Sequence, residues 1–298
     1  MSKILGVDLS LLQSNIHDMH SKMDAFTPEV LARLRDIEIK THHIEDRLTK
    51  QDALLKSERD NIPVLRNRLF DVRKTKEYIE VFSDKNPLIT VRIATYNRAD
   101  ILIERAIKSV LSQTYQNFEI IVVGDGCTDD TEKKIADLDD RRIKFINLPN
   151  RSLYPEDKWK RWLVAGSPGM NMGADLARGK WIAPLDDDDV FSEDHLEVLL
   201  KLALENKSEL VYGALEQVNA VDNSTARIWS NPPIYSQFSF QGAMYLRLLN
   251  FFQYDQESWL VEEPGDWNLC RRMLLSGVYY SATEQVVGSM NMIPHDIK

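Results

Sequence analysis

Trp181-Ile182-Ala183-Pro184-Leu185 runs directly into Asp186-Asp187-Asp188-Asp189. A short apolar run that stops abruptly at charged residues reads as a buried strand whose carboxyl end meets solvent. Four adjacent carboxylates repel one another unless a cation sits among them. Hard oxygen donors suit Mg²⁺ or Mn²⁺, ions that use one or two carboxylates and complete their shell with phosphate oxygens and water. The same residue types also suit a solvated turn capping the next helix, a role open to Asp189 and Asp194.

Working outward, Leu88–Ala94, Phe118–Val123, Arg142–Leu148 and Glu209–Val218 read as further strands. Helical spacing falls between them, at Asp100–Gln113, Thr128–Leu138, 168–178 and from a Ser192 cap to Leu204. Such alternation predicts an α/β fold: a doubly wound, mixed or mostly parallel sheet flanked by helices. Ligands of open parallel sheets collect at the strands' carboxyl ends. Two more polar loops therefore converge with the aspartates: Thr95-Tyr96-Asn97-Arg98 and Gly124-Asp125-Gly126. Asp125 between glycines suits acceptance of an imide N–H from uracil or thymine, and equally suits an Asx turn.

Residues 1–86 have a different character. Thr27-Pro28-Glu29 is a helix start, with a Thr cap and Pro at the first helical position. Thirteen positions from Val30 to Val72, spaced alternately by three and four, include ten apolar ones. This is a heptad-like seam, predicting a coiled-coil or helical-hairpin segment. Pro63 is expected to break or kink it, with Asp60 or Asn61 capping a second helix. The division expected is a helical segment over 1–86 and a catalytic domain over 87–298. Residues 28–80 would drive homo-oligomerisation or pack on the chain's own body.

The chain has 298 residues and a net charge of −9. The first 86 residues are formally neutral, so all of the excess acid lies beyond them. An acidic body argues against nucleic acid as a partner. No apolar stretch approaches membrane-spanning length, and the amino terminus lacks the features of a signal peptide. Two isolated cysteines, Cys127 and Cys270, fit a reducing, cytoplasmic setting.

Four segments in order, ITVRIATYNRAD, SVLSQTYQNFEIIVVGDGCTDDT, NMGADLARGKWIAPLDDDD and GDWNLCRRMLLSGV, resemble family 2 glycosyltransferases of the GT-A fold. The resemblance covers Leu88 to about Gly277. It implies a metal-dependent, inverting enzyme that moves a sugar from a nucleotide-sugar, most simply a UDP-sugar, with Mn²⁺ or Mg²⁺ as cofactor. The acceptor hydroxyl would belong to a glycan, a lipid-linked saccharide or a protein. Thr95, Tyr96, Asn97, Arg98, Asp125, Asn171, Asp186 and Asp187 would line the nucleotide-sugar site. Asp188 would hold the metal, with Asp186 and His295 as further candidate ligands. Asp266 would be the general base, with Glu263, or Glu262, as the fallback. Three positions depart from the family pattern: Gly124 and Gly265 stand where an acid is usual, and Met170 where an arginine is. Lys158, Lys160 or Arg161 could replace that arginine. The departures leave open a scaffold that binds nucleotide or glycan without turnover.

Overall fold

The computed structural model describes residues 3–4, 7–21, 28–219 and 221–292. The expected Thr27 cap and the His295 ligand lie outside them. The chain divides into two compact units, Met1–Ser57 and Glu58–Lys298.

The first unit pairs β1 (Lys3–Ile4) with β2 (Val7–Asp8), followed by α1 (Leu9–Ser21) and most of α2 (Pro28–Val72). Gln13 donates to both carboxylate oxygens of Glu45 at 2.8 Å. Ile16 and Leu34 are buried, while Val30, Ile37, Ile44 and Leu55 of the seam are exposed.

α2 corrects one expectation, because it continues as one helix through Pro63. Proline forfeits one backbone bond inside a helix and crowds the preceding turn, at a cost of about 3 kcal/mol. Packing just beyond it opposes that cost: Leu69 is 1% exposed and Leu65 packs on the core. From Glu58 onward the seam therefore packs on its own body. α3 (Lys76–Val81) follows, capped by Thr75, whose hydroxyl accepts from the Tyr78 amide.

The second unit is built on a nine-stranded sheet. β3 (Ile89–Thr95) pairs in parallel with β4 (Phe118–Gly124) and β6 (Trp181–Asp186), and β4 with β5 (Ile143–Asn147). Every residue of β4 is buried, as expected of a strand covered on both faces. A helical stretch links β3 to β4: α4 (Ala99–Ile101), a π-helical segment at Leu102–Ile107, and α5 (Lys108–Leu111). α6 (Thr131–Ala136), α7 (Lys158–Val164) and α8 (Ser167–Asp175) precede β6.

Beyond β6 come β7 (Val190–Phe191), α9 (His195–Asn206), β8 (Leu210–Asn219), β9 (Thr225–Ile228) and β10 (Ala243–Leu246). α10 (Gly265–Ser276) and β11 (Tyr280–Met292) complete the chain's described elements. β10 lies antiparallel between β6 and β8, and β11 runs parallel to β8. The sheet is thus mixed and mostly parallel, as the sequence predicts. Pro184 is tolerated in β6 because the β10 ladder reaches only Trp181 and Ile182. At α9 the cap position belongs to Asp194 rather than Ser192, whose hydroxyl instead donates to the Asp194 carboxylate.

α8 lies close over β3 because it presents glycines to it. A Cβ on Gly169 would come within 3.1 Å of the Ala94 methyl, and one on Gly173 within 3.3 Å of the Arg92 Cβ. The core spans both faces of the sheet and leaves its strand ends to form the site.

Candidate active site

β3, β4 and β6 end side by side: Thr95 is in register with Gly124, and Ala94 with Asp186. The three loops singled out in the sequence therefore meet. Thr95 Oγ1 donates to Asp187 at 2.7 Å. Arg98 bridges two aspartates, with Nη1 2.6 Å from Asp187 and Nη2 2.8 Å from Asp188. Asp187 is thereby an organiser, gripped by both β3-loop residues. Asp188 is 6% exposed, and its carbonyl accepts from Arg105 Nε and Asn291 Nδ2. Asp189 accepts from the Asn291 amide. β11 thus reaches the aspartate loop, a contact the sequence reading missed.

Asp186 stands apart. Its amide donates to Gln241 Oε1 at 2.8 Å. Its carboxyl keeps some solvent contact but is surrounded by protein. Burial, then the charges of Asp188 and Asp187, hold it far above the usual carboxylate range. Asp186 and Asp188 offer two carboxylates of the kind that a divalent ion combines with ligands from phosphate and water. Among the described residues no three acids, histidines or cysteines form a closed metal cage, which such an ion does not need.

Asn97, at φ +50°, stitches the β3 and β4 loops together. Its Oδ1 accepts from the Thr128 amide at 2.8 Å. Tyr96 lies under the Arg151 guanidinium, 3.3 Å from ring centre to Cζ. Asp125 is 3% exposed and holds the following segment: Oδ1 accepts from the Ser152 amide and hydroxyl, and Oδ2 from the Tyr154 hydroxyl at 2.7 Å. Three of a carboxylate's roughly four acceptor positions are taken, leaving one on Oδ2.

The departure at Gly124 has a steric cause. A Cβ there would fall 2.6 Å from Asn147 Oδ1, and Asn147 is fixed by two bonds to the Cys127 backbone. Asn171 turns away from ligand duty, because both atoms of its amide bind the Tyr254 backbone, at 3.0 and 2.8 Å. Tyr254 in turn accepts from Arg92, which is buried in β3. Burial opposes the Arg92 charge, the oxygens of Tyr254 and Tyr245 favour it, and the net shift is upward. Arg161 binds the carbonyls of Pro155 and Glu156, and Lys160 lies over the Trp259 ring. Arg98, rather than these, is the guanidinium at the aspartates.

Asp266 opens α10. Burial pushes its carboxyl up to about 6, against hydrogen bonds from the Trp267 amide and Ser239. Its charge is felt at Asp186, where it adds slightly to the upward push on that carboxyl. Gly265 beside it is tight: a Cβ would lie 3.2 Å from Tyr254 Cδ1 and 3.4 Å from the Leu163 carbonyl. The fallback base, Glu263, is engaged elsewhere: it is locked by Arg271 at 2.7 Å and by Asn268 at 3.0 Å, and Glu58 shares both partners. These contacts tie the start of α10 to the end of the preceding loop.

Two surface cavities, of about 720 and 750 Å³, lie elsewhere and include none of the site aspartates.

The family described as glycosyl transferase family 2 matches residues 90–156 and 160–263. An uncharacterized glycosyltransferase of Rickettsia conorii is 38% identical over 132 residues, 44% of this chain and 20% of that protein. The Escherichia coli UDP-Glc:alpha-D-GlcNAc-diphosphoundecaprenol beta-1,3-glucosyltransferase WfgD is 30% identical over 132 residues, 44% of this chain and 47% of that one. The chain thus matches less than half the length of these relatives. S. aureus TarS, solved with UDP-GlcNAc, shares the fold at TM-score 0.55 and 16% identity, covering 69% of this chain and 59% of that one. The Pyrobaculum calidifontis mannosyltransferase PcManGT, solved with GDP-Man and Mn²⁺, does so at TM-score 0.51 and 14% identity, covering 80% and 67%. With the family's sequence pattern spanning more than half its length, the chain belongs to glycosyl transferase family 2.

Proposed function

We propose that the protein is a metal-dependent, inverting glycosyltransferase that takes its sugar from a UDP-sugar. The observation that carries this reading is the meeting of the β3, β4 and β6 strand ends at the aspartates, where Thr95 and Arg98 grip Asp187 and Asp188 at 2.6–2.8 Å. Asp188, with Asp186, would hold Mn²⁺ or Mg²⁺. When bound there, such an ion would supply neutralisation of charge on a leaving diphosphate. Arg98 keeps Asp187 and Asp188 in place and can swing a guanidinium toward phosphate oxygens. Asp125 offers its remaining Oδ2 position to an imide N–H.

Asp266 receives the proton of the acceptor hydroxyl as that oxygen attacks the anomeric carbon. A carboxyl near 6 is half in the basic form just below neutral pH and is a stronger base than an ordinary aspartate. Attack from the side opposite the leaving diphosphate inverts the centre. The acceptor is a hydroxyl on a glycan or a lipid-linked saccharide. Residues 1–86 are the non-catalytic arm, and the exposed part of the α2 seam is its self-association surface, which sedimentation over a dilution series tests.

The experiment is a panel of sugar nucleotides screened for transfer or hydrolysis with Mn²⁺ and with EDTA. Donor-selective turnover that chelation abolishes is the expected result. Full turnover after thorough chelation sinks the metal role, and UDP binding with no turnover on any donor sinks catalysis.

A further inference from the structure

Within the stretch from Arg151 to Trp162, Arg151, Ser152 and Tyr154 face Tyr96 and Asp125, and the other residues carry features that those contacts do not use. Leu153 is 98% exposed, and Trp159 and Trp162 are 48% and 40% exposed. Apolar side chains of this size held in water mark a contact surface when they cluster. The two indoles stack on each other, 5.0 Å between ring centres and 19° between planes. Their exposure is fixed by the surrounding structure. Asp157 caps α7 through the Lys160 amide, Arg161 ties down the Pro155 and Glu156 carbonyls, and Leu163 and Val164 are buried beneath.

The segment is also basic. Arg151, Lys158, Lys160 and Arg161 outnumber Glu156 and Asp157 within a chain of net charge −9. Lys158 is exposed beside Trp159. Partly exposed tryptophan with lysine and arginine on a short helix is the composition that settles at a bilayer interface. The indoles occupy the headgroup level while the cations meet anionic lipid.

We propose that α7 and the Leu153 loop form a docking surface for an anionic membrane. The placement has a consequence for chemistry, which rests on the transferase reading above. A Cβ on Gly265 would sit 3.4 Å from the Leu163 carbonyl, so α7 borders the start of α10 and Asp266. A bilayer engaged by α7 would bring a lipid-borne acceptor hydroxyl to the base.

The test is co-sedimentation of the full chain with phosphatidylcholine–phosphatidylglycerol vesicles and with phosphatidylcholine alone. Indole emission is followed in parallel, and UDP binding serves as an independent check. Binding that requires phosphatidylglycerol, weakens with salt and shifts indole emission to the blue is the expected result. Trp159→Ser with Trp162→Ser, and separately Lys158→Glu, should each lower vesicle affinity on the order of 10-fold. Leu153→Ser, at a wholly exposed position, should lower it less, and all variants should keep wild-type UDP binding. Absence of phosphatidylglycerol-dependent binding overturns the proposal, as does equal binding by every variant. Loss of affinity for a soluble oligosaccharide with vesicle binding intact also overturns it, making the indoles a sugar platform. Loss of UDP binding by the wild-type chain would count against the transferase reading and leave the docking result standing.

Discussion

The acids after β6 and the acid that opens α10 are held in opposite ways. Asp187, Asp188 and Asp189 are bound by partners from three other segments: Thr95 and Arg98, Arg105, and Asn291. Asp266 depends on its own helix start and Ser239. A donor diphosphate carries fixed charge, and a rigid, preset lattice of opposite and like charges suits it. A general base must change protonation on every cycle, and few partners with heavy burial leave its carboxyl near neutrality. On the proposed reading, the difference suits the aspartate loop to binding a donor and Asp266 to proton transfer.

The comparison breaks most visibly at Asp188. Asp188→Ala should lower turnover roughly 1000-fold, because a bound divalent ion supplies several kcal/mol to the departing diphosphate. It should also abolish Mn²⁺-dependent thermal stabilisation by UDP. Next comes Asp266→Asn, expected to lower turnover roughly 100-fold or more with UDP affinity unchanged. Steady-state kinetics beside calorimetry separates the two variants, and equal damage to binding in both would erase the proposed division of labour.

A pH profile sharpens the acceptor side. With the Asp266 carboxyl near 6, activity should fall on the acid side through that value. The same shift has a stability counterpart of known sign. A raised carboxyl favours the folded state only while protonated, and that contribution is lost as pH rises through about 6. Asp266→Asn should therefore stabilise the fold at pH 8, by about 2 kcal/mol after allowance for its partial solvent contact. Thermal melts at pH 5 and pH 8 measure this, and a variant less stable at pH 8 would contradict it. The smallest activity change is expected at Glu263→Gln. Turnover should stay within about threefold while stability drops by about 1–2 kcal/mol, because a partly buried ion pair with Arg271 is lost.

Much of this was legible in the residues. The apolar runs of β3, β4 and β6 and the polar loops after them announce both the fold and the site. Long-range partners are a different matter. Arg98 reaches Asp188 across 90 positions and Asn291 reaches Asp189 across 102. No local period encodes such pairings. The occupation of Asp125 by Ser152 and Tyr154 is equally invisible, since those two residues read as ordinary loop. β10 and β11 carry weak strand signals, and their places in the sheet depend on neighbours far along the chain. Pro63 misled for a related reason: local propensity favours a break, and burial of Leu65 and Leu69 overrides it. The departures at Gly124 and Gly265 become intelligible only through packing, by Asn147 at the first and by Tyr254 and Leu163 at the second.

The division between donor and acceptor sides is tested most directly by titrating UDP calorimetrically into the wild type, Asp188→Ala and Asp266→Asn, each with Mn²⁺ and with EDTA. The account predicts Mn²⁺-dependent binding in the wild type, the same binding in Asp266→Asn, and its loss in Asp188→Ala. Equal UDP affinity in all three proteins, or affinity indifferent to EDTA, would contradict it.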